Sequence, residues 1–407
     1  MSAPAPSSSP APSGGQPRGF LLLLVALSML GPLTLNILVP SLPGLAKAFS
    51  TSRENAQLTF SLYLFGMAIS QLVLGPLADR FGRRPVVLVA LVTYVTASIG
   101  AHFAPTIEML IATRVMQSFG ATAGLTLGRT MIRDRYDQNS AASVIGYVTM
   151  AMVLAPMISP LLGAMIDEAF GWRAILAFCA VLGALSFALA LLNLPETRPV
   201  TLVAATTRQV IERTIGLIVN IRYMAYWGAS AFCSALFFCF LGTAPHLMIE
   251  VLGRSKSEYG IWFMSLSLGY MAGNFVSGRN ARRLGIDTLI YWGNIAGLVG
   301  SVALLGPALM GYLHPLVLFG PAMIMSFGNG LVLPNAIAGG LGVDPAAAGA
   351  GSGLMGFGQV GVGAALSFFA AKYTEDSALP LAVLMLVCAL IAHFSGWVSR
   401  QETPKQG

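Results

Sequence analysis

Charge is what this sequence has least of. Only 10% of its 407 residues are Asp, Glu, Lys or Arg, where a water-soluble domain carries about 25%. With 56% hydrophobic residues, the shortage argues against a soluble protein and for a chain that crosses a membrane many times. Acidic residues are missing from the interior of every long apolar run: Glu108, Asp167, Glu168 and Glu250 all fall near run ends. Cysteine is equally sparse. Cys179, Cys233, Cys239 and Cys388 lie inside apolar runs without metal-ligand spacing, so they read as small core residues. His246 and His393 are the remaining titratable residues in the runs and read as hydrogen-bonded structural histidines. No Ser/His/Asp or metal-ligand constellation appears, so neither an enzyme nor a cofactor or metal is expected. Two matches to G-x-G-x-x-G, at 351–356 and 356–361, lie in an apolar helix with no strand before them and are read as packing glycines. The formal charge of +7 does not indicate nucleic acid, because the basic residues sit in short connections between apolar runs.

Those runs organise the chain. Residues 1–18, rich in Ala, Pro, Ser and Gly, have nothing to bury and read as a disordered tail, not a signal peptide. Twelve spans long enough to cross a bilayer follow, at 19–43, 57–77, 85–103, 107–130, 141–166, 172–194, 223–249, 258–277, 287–308, 314–337, 346–371 and 378–399. An all-α membrane protein is expected, with six-helix halves at 19–194 and 223–399, a linker at 195–222 and a tail at 400–407. Placing both termini in the cytoplasm puts sixteen Lys and Arg residues inside and six outside, as the positive-inside rule requires.

The most informative stretch is Gly75-Pro76-Leu77-Ala78-Asp79-Arg80-Phe81-Gly82-Arg83-Arg84, a short loop between spans two and three. Orientation alone would explain the arginines, but not the two glycines seven apart with one aspartate between them. Gly278 to Gly285 repeats the glycine spacing 203 residues later, with Arg282 where Asp79 stands in the first copy. The stretch resembles the signature loop of the major facilitator superfamily of transporters. That resemblance implies twelve helices in two parallel six-helix repeats, with a substrate site between them near mid-membrane. It also implies that Gly75, Asp79, Arg80, Gly82, Arg83 and Arg84 form a conformational latch. In it, Asp79 would face the start of span eleven, here Asp344-Pro345-Ala346.

Further stretches resemble motifs of this superfamily, and some of them those of its drug-efflux branch, which includes the bicyclomycin and chloramphenicol exporters. In span four, Arg114 and Gln117 share a face, and Gly120, Gly124 and Gly128 permit close helix approach. A buried arginine is costly, so it is a functional candidate, with snorkelling to the interface as the structural alternative. The resemblance links this arginine to proton or substrate handling. The run Arg133-Asp134-Arg135-Tyr136 is similar to a loop of the same branch. Ala155, Pro156, Ser159, Pro160 and Gly163 keep the spacing of its antiporter motif in span five. In span one, Asn36 stands where the branch usually carries an aspartate, and it cannot take up a proton. Arg114 therefore lacks a buried acidic partner, and is expected to rest on Asn36, Gln117 and backbone carbonyls or to await an anionic substrate. Tyr63, Phe237 and Gln359 complete the substrate or coupling candidates, as polar or aromatic residues within spans.

The expectation is a monomeric secondary transporter in the inner membrane, exporting small apolar compounds by alternating access. Proton antiport is implied by the resemblance. The alternatives are a facilitator or metabolite carrier, anions included, without proton coupling, and a non-transporting receptor or scaffold, which no attached soluble domain supports.

Overall fold

The structure, a computed structural model, describes residues 18–135, 138–198, 207–344 and 347–401. Every regular element among them is helical. In chain order these are α1 (Arg18–Ile37), α2 (Leu42–Ala48), α3 (Arg53–Phe81), α4 (Arg83–His102), α5 (Ile107–Arg135), α6 (Gln138–Phe170) and α7 (Trp172–Asn193). After them come α8 (Thr207–Val219), α9 (Ile221–Pro245), α10 (Lys256–Leu284), α11 (Ile286–Leu309), α12 (Pro315–Val343), α13 (Ala348–Tyr373) and α14 (Leu379–Gln401). The long helices fall on the twelve expected spans. Among the described residues, nine are apolar and long enough to cross a bilayer by length and composition.

Three details differ from the expected spans, each for a local reason. The first span is broken. Pro40 and Pro43 each lack an N–H donor, and a 3-10 turn at Val39–Ser41 separates α1 from α2. The seventh ends at Pro245 and continues as one π-helical turn, His246–Val251. The 195–222 linker contains the helix α8, outside any span.

The 203-residue repeat is written in the backbone. The side chains of Ser52 and Ser255 cap α3 and α10, accepting the N–H of Asn55 and Glu258. Both helices run on through the expected loop and stop at a single glycine. Gly82 has φ 99° and ψ 153°, and Gly285 has φ 79° and ψ 155°. This region is closed to nearly every residue with a Cβ. The signature loop is therefore mostly helix, with a one-residue corner. The corners mark what we call the loop end; Ser52 and Ser255 mark the far end.

The N-terminal helices meet the C-terminal ones mainly through α3 against α13 and α6 against α10. Within the first group, α5 approaches both neighbours closely. A Cβ at Gly120 would lie 2.3 Å from the Ala90 carbonyl oxygen of α4, and one at Gly124 would lie 2.1 Å from that of Leu27 in α1. Small residues make these contacts possible where no hydrophobic effect separates helix from lipid.

Candidate functional site

At the loop end the charged groups form a compact network. The Arg83 guanidinium is buried, and its Nη1 lies 2.8 Å from Asp79 Oδ1 and its Nε 3.0 Å from Asp134 Oδ2. Two carboxylates hold one cation, so its burial is compensated. Glu196, just past α7, accepts the backbone N–H groups of Arg83 and Arg84 at 2.9 and 3.2 Å. Gly82 has no side chain to cap α4, and Glu196 supplies the cap from a distant part of the chain. The same carboxylate accepts the N–H groups of Thr197 and Arg198, each at 2.9 Å. Its partial burial opposes ionisation, but these four donors outweigh that and hold the carboxyl below the usual glutamate range. Arg198 donates to the Arg80 carbonyl oxygen at 3.1 Å, and Arg84 to that of Leu191 at 3.0 Å. Of the expected Asp79 partner, Asp344-Pro345-Ala346, residues 345 and 346 lie outside the described residues, as do Tyr136 and the Arg133 side chain, and Asp344 is the residue that closes α12. Gly75 sits inside α3, with open space around its Cα.

Deeper in the first group, Arg114 does not snorkel. It is 1% exposed, with Nη1 2.6 Å from Gln117 Oε1 and both terminal nitrogens 3.4 Å from the Thr34 carbonyl oxygen. Its guanidinium carbon lies 4.0 Å from the centre of the Tyr63 ring, a cation–π contact. Gln117 donates in turn to Ser98 Oγ at 2.7 Å. The structure thus brings together Arg114, Gln117 and Tyr63. Asn36 is not among the partners of Arg114: its amide donates to the Pro32 carbonyl oxygen at 2.7 Å, one turn back along α1. The aromatic face of Tyr63 takes the place expected for that amide.

Among the substrate or coupling candidates, four buried polar atoms, Arg114 Nε, Asn36 Oδ1, Tyr63 Oη and Gln359 Nε2, have no hydrogen-bond partner among the described residues. Such atoms are rare in a finished core and are what a polar ligand satisfies. Among the described residues the one buried carboxylate is Asp167, at the far end. Phe237 belongs to a different cluster, stacking edge-on with Phe238 and Phe263 at centroid distances of 5.5 and 6.1 Å. It lines a small apolar cavity with Phe240, Met325 and Asn329.

The α6 residues lie between the two groups. Pro156 and Pro160 are inside the helix, and Ala155, Ser159 and Pro160 are buried. A Cβ on Gly163 would lie 1.8 Å from the Ile37 carbonyl oxygen of α1. On the other side, the backbone of Leu161 lies 2.6 Å from where Gly260 of α10 would carry a Cβ. This helix, with two missing N–H donors, is one of those that join the two groups.

Sequence reasoning missed the far end. Arg53 of α3 reaches into the C-terminal helices, donating to the carbonyl oxygens of Ala371 (2.7 Å) and Thr374, and lies 2.7 Å from His246 Nε2. Lys256 of α10 reaches the opposite way, its Nζ 2.6 Å from Asp167 Oδ2, which also accepts from Ser41 Oγ at 2.5 Å. Ser257 donates to Glu168 through N–H and Oγ at 3.0 and 2.5 Å, and Lys47 pairs with Glu250 at 3.0 Å. Arg53 and Lys256 are themselves 203 residues apart, each the first residue of its helix. The repeat offset, applied to these two cations, was the signal that could have found the pair. Glu196 had a weaker one, a lone acid in Leu194-Pro195-Glu196-Thr197-Arg198.

The sequence profile of the Major Facilitator Superfamily matches residues 24–368. The chain belongs to this superfamily. It is a multi-pass membrane transporter rather than an enzyme. It is 26% identical to a bicyclomycin resistance protein homolog of Haemophilus influenzae, over 92% of this chain and 94% of that protein. It is 29% identical to multidrug resistance protein D of Escherichia coli, over 91% and 93%. A chloramphenicol resistance protein of Pseudomonas aeruginosa is 30% identical over 70% of this chain and 67% of its own length. The fold also matches a crystal structure of a bacterial homolog of the human lysosomal transporter Spinster, described as inward-facing and unoccupied. The TM-score is 0.73, at 14% identity and 97% and 100% coverage. The transporter fold expected from the sequence is thus the fold observed.

Proposed function

We propose that this transporter exports small, mostly apolar compounds across the inner membrane by alternating access, in exchange for protons. The observation that carries the reading is near full-length similarity to proteins named for bicyclomycin and multidrug resistance. The proline-bearing α6, seated between the groups, suits a rocking motion. In this reading the helices α1–α7 and α9–α14 move as two bodies, with the loop end in the cytoplasm. The polar ties at the far end hold the outward path closed. Substrate enters from the loop end and meets Arg114, Gln117 and Tyr63 on one side, and Gln359 and the Phe237 cluster on the other.

A second reading has its own observation. Arg114 has no carboxylate among its partners, and Asn36 replaces a proton-carrying side chain. A buried, unneutralised guanidinium favours an anionic substrate and a carrier without proton coupling.

Inverted membrane vesicles separate the two. A pH gradient is imposed, a dye reports it, and phenicols, bicyclomycin-like compounds, lipophilic cations and small organic anions are added singly. Dissipation by an apolar compound in wild type, absent in Arg114→Ala, supports proton-coupled export. Gradient-independent accumulation of a labelled anion, with no compound dissipating the gradient, overturns it in favour of the second reading.

A further inference from the structure

Among the described residues, the helix α8 carries an apolar stripe that stands exposed. Ile211, Ile215 and Ile218 recur at the i, i+4, i+7 spacing of one helical face, and Val219 extends it. These four side chains are between 48% and 76% exposed. The neighbouring Leu217 is buried, in one cluster with Tyr223 of α9 and with Ala347 and Met355 at the start of α13. One flank of the apolar arc therefore docks on the protein, and the other faces away from it.

The position of the helix says what covers the second flank. A single residue, Asn220, separates α8 from the membrane-crossing α9, and its side chain caps α9 by accepting the Tyr223 N–H at 3.0 Å. A helix tied that tightly to the end of a span, and held sideways by Leu217, stays at the level of the bilayer surface. Its charges suit that surface. Arg208, Arg213 and the adjacent Arg222 face one acid, Glu212, which pairs with Arg208 at 2.7 Å. Isoleucines on one face, with arginines able to reach headgroups, are the chemistry of a helix lying in the interface.

We propose that α8 seats its Ile211–Ile215–Ile218 face in the bilayer interface at the loop end, with Arg208, which flanks that face, on an anionic phospholipid headgroup. Through Leu217, the lipid surface then braces the start of α13. The inference rests on membrane embedding and not on what is exported, so it survives a failure of the export reading.

The test uses the full-length transporter in lipid nanodiscs. Cysteines are introduced singly as Ile215→Cys and, on the opposite face, Gln209→Cys. The four native cysteines are buried, so a nitroxide reagent favours the introduced one. Collision with lipid-dissolved oxygen is compared with collision with a water-soluble nickel chelate, in phosphatidylcholine alone and with phosphatidylglycerol added. The label at 215 is expected to be shielded from nickel and open to oxygen, and the one at 209 the reverse. Phosphatidylglycerol should increase the shielding at 215. A basic residue near an anionic surface adds roughly a fivefold preference, so the increment should vanish in Arg208→Gln. Equal nickel access at 215 and 209 would overturn the seating. Shielding at 215 that ignores phosphatidylglycerol would overturn the role of anionic headgroups.

Discussion

Gly82→Ala disturbs two things, and Gly285→Ala only one of them. Both glycines hold nearly the same backbone conformation, which costs about 1–3 kcal/mol for a residue with a Cβ. Around Gly285 a new Cβ meets nothing within 4 Å, while at Gly82 it would lie 2.6 Å from Glu196 Oε2. The carboxylate must then withdraw from the N–H groups of Arg83 and Arg84, and losing a helix cap costs about 1 kcal/mol, up to about 2. Gly285→Ala should therefore destabilise by about 1–3 kcal/mol, and Gly82→Ala by about 1–2 kcal/mol more. The assay is thermal unfolding of the purified protein in one detergent, with Glu196→Gln made in each background. Glu196→Gln should add its full cost to Gly285→Ala and little to Gly82→Ala, because coupled neighbours are not additive. Equal losses for the two glycines, or full additivity in both backgrounds, would refute the capping argument.

Three other outcomes are expected. The Glu196 carboxyl is held below its ordinary value of 4.5, so the folded state gains from its ionised form. The margin of wild type over Glu196→Gln should be complete above that pH and shrink as pH falls below it, in unfolding measured against pH. Arg114→Ala should abolish transport, and Tyr63→Phe should keep most of it because the ring face persists; a Tyr63→Leu variant with normal transport would contradict the cation–π contact, worth about 2 kcal/mol when desolvated. Asp167→Cys with Lys256→Cys should form a disulfide on mild oxidation that stops transport until a reductant is added. Full transport by the crosslinked protein would show that the far end need not open.

How far these features were legible in the sequence depended on their scale. The twelve spans were readable because bilayer thickness dictates their length, and the corner glycines because only glycine takes that backbone. Arg114 and Gln117 were legible as a pair, since both lie on one turn of one helix. Of the other partners expected for Arg114, a backbone carbonyl, that of Thr34, is observed and Asn36 is not. Asn36 was chosen by its place in a motif, whereas its amide bonds the preceding turn of its own helix, and the neighbour that matters, Tyr63, comes from another helix. Glu196 was barely legible for the same reason. It caps a helix that starts 113 residues earlier, and a lone acid in a short run does not say which distant helix it serves. The helical part of the signature loop was hidden by the assumption that a helix stops where the bilayer does.

The far end has a consequence for the medium around the cell. Two cations of the first group, Arg53 and Lys47, and one of the second, Lys256, cross between the groups, but the sockets differ. Lys256 sits on a carboxylate, and Arg53 on backbone carbonyls at the end of α13. Dissolved salt weakens attraction between full charges, most of all in a pair as open to water as Lys47 and Glu250. It acts far less on a guanidinium bonded to carbonyl dipoles. With the far end outward, as proposed, brine would loosen the open Lys47–Glu250 pair and largely spare the buried ties of Lys256 and Arg53, so the closed far end would hold across a wide range of salinity.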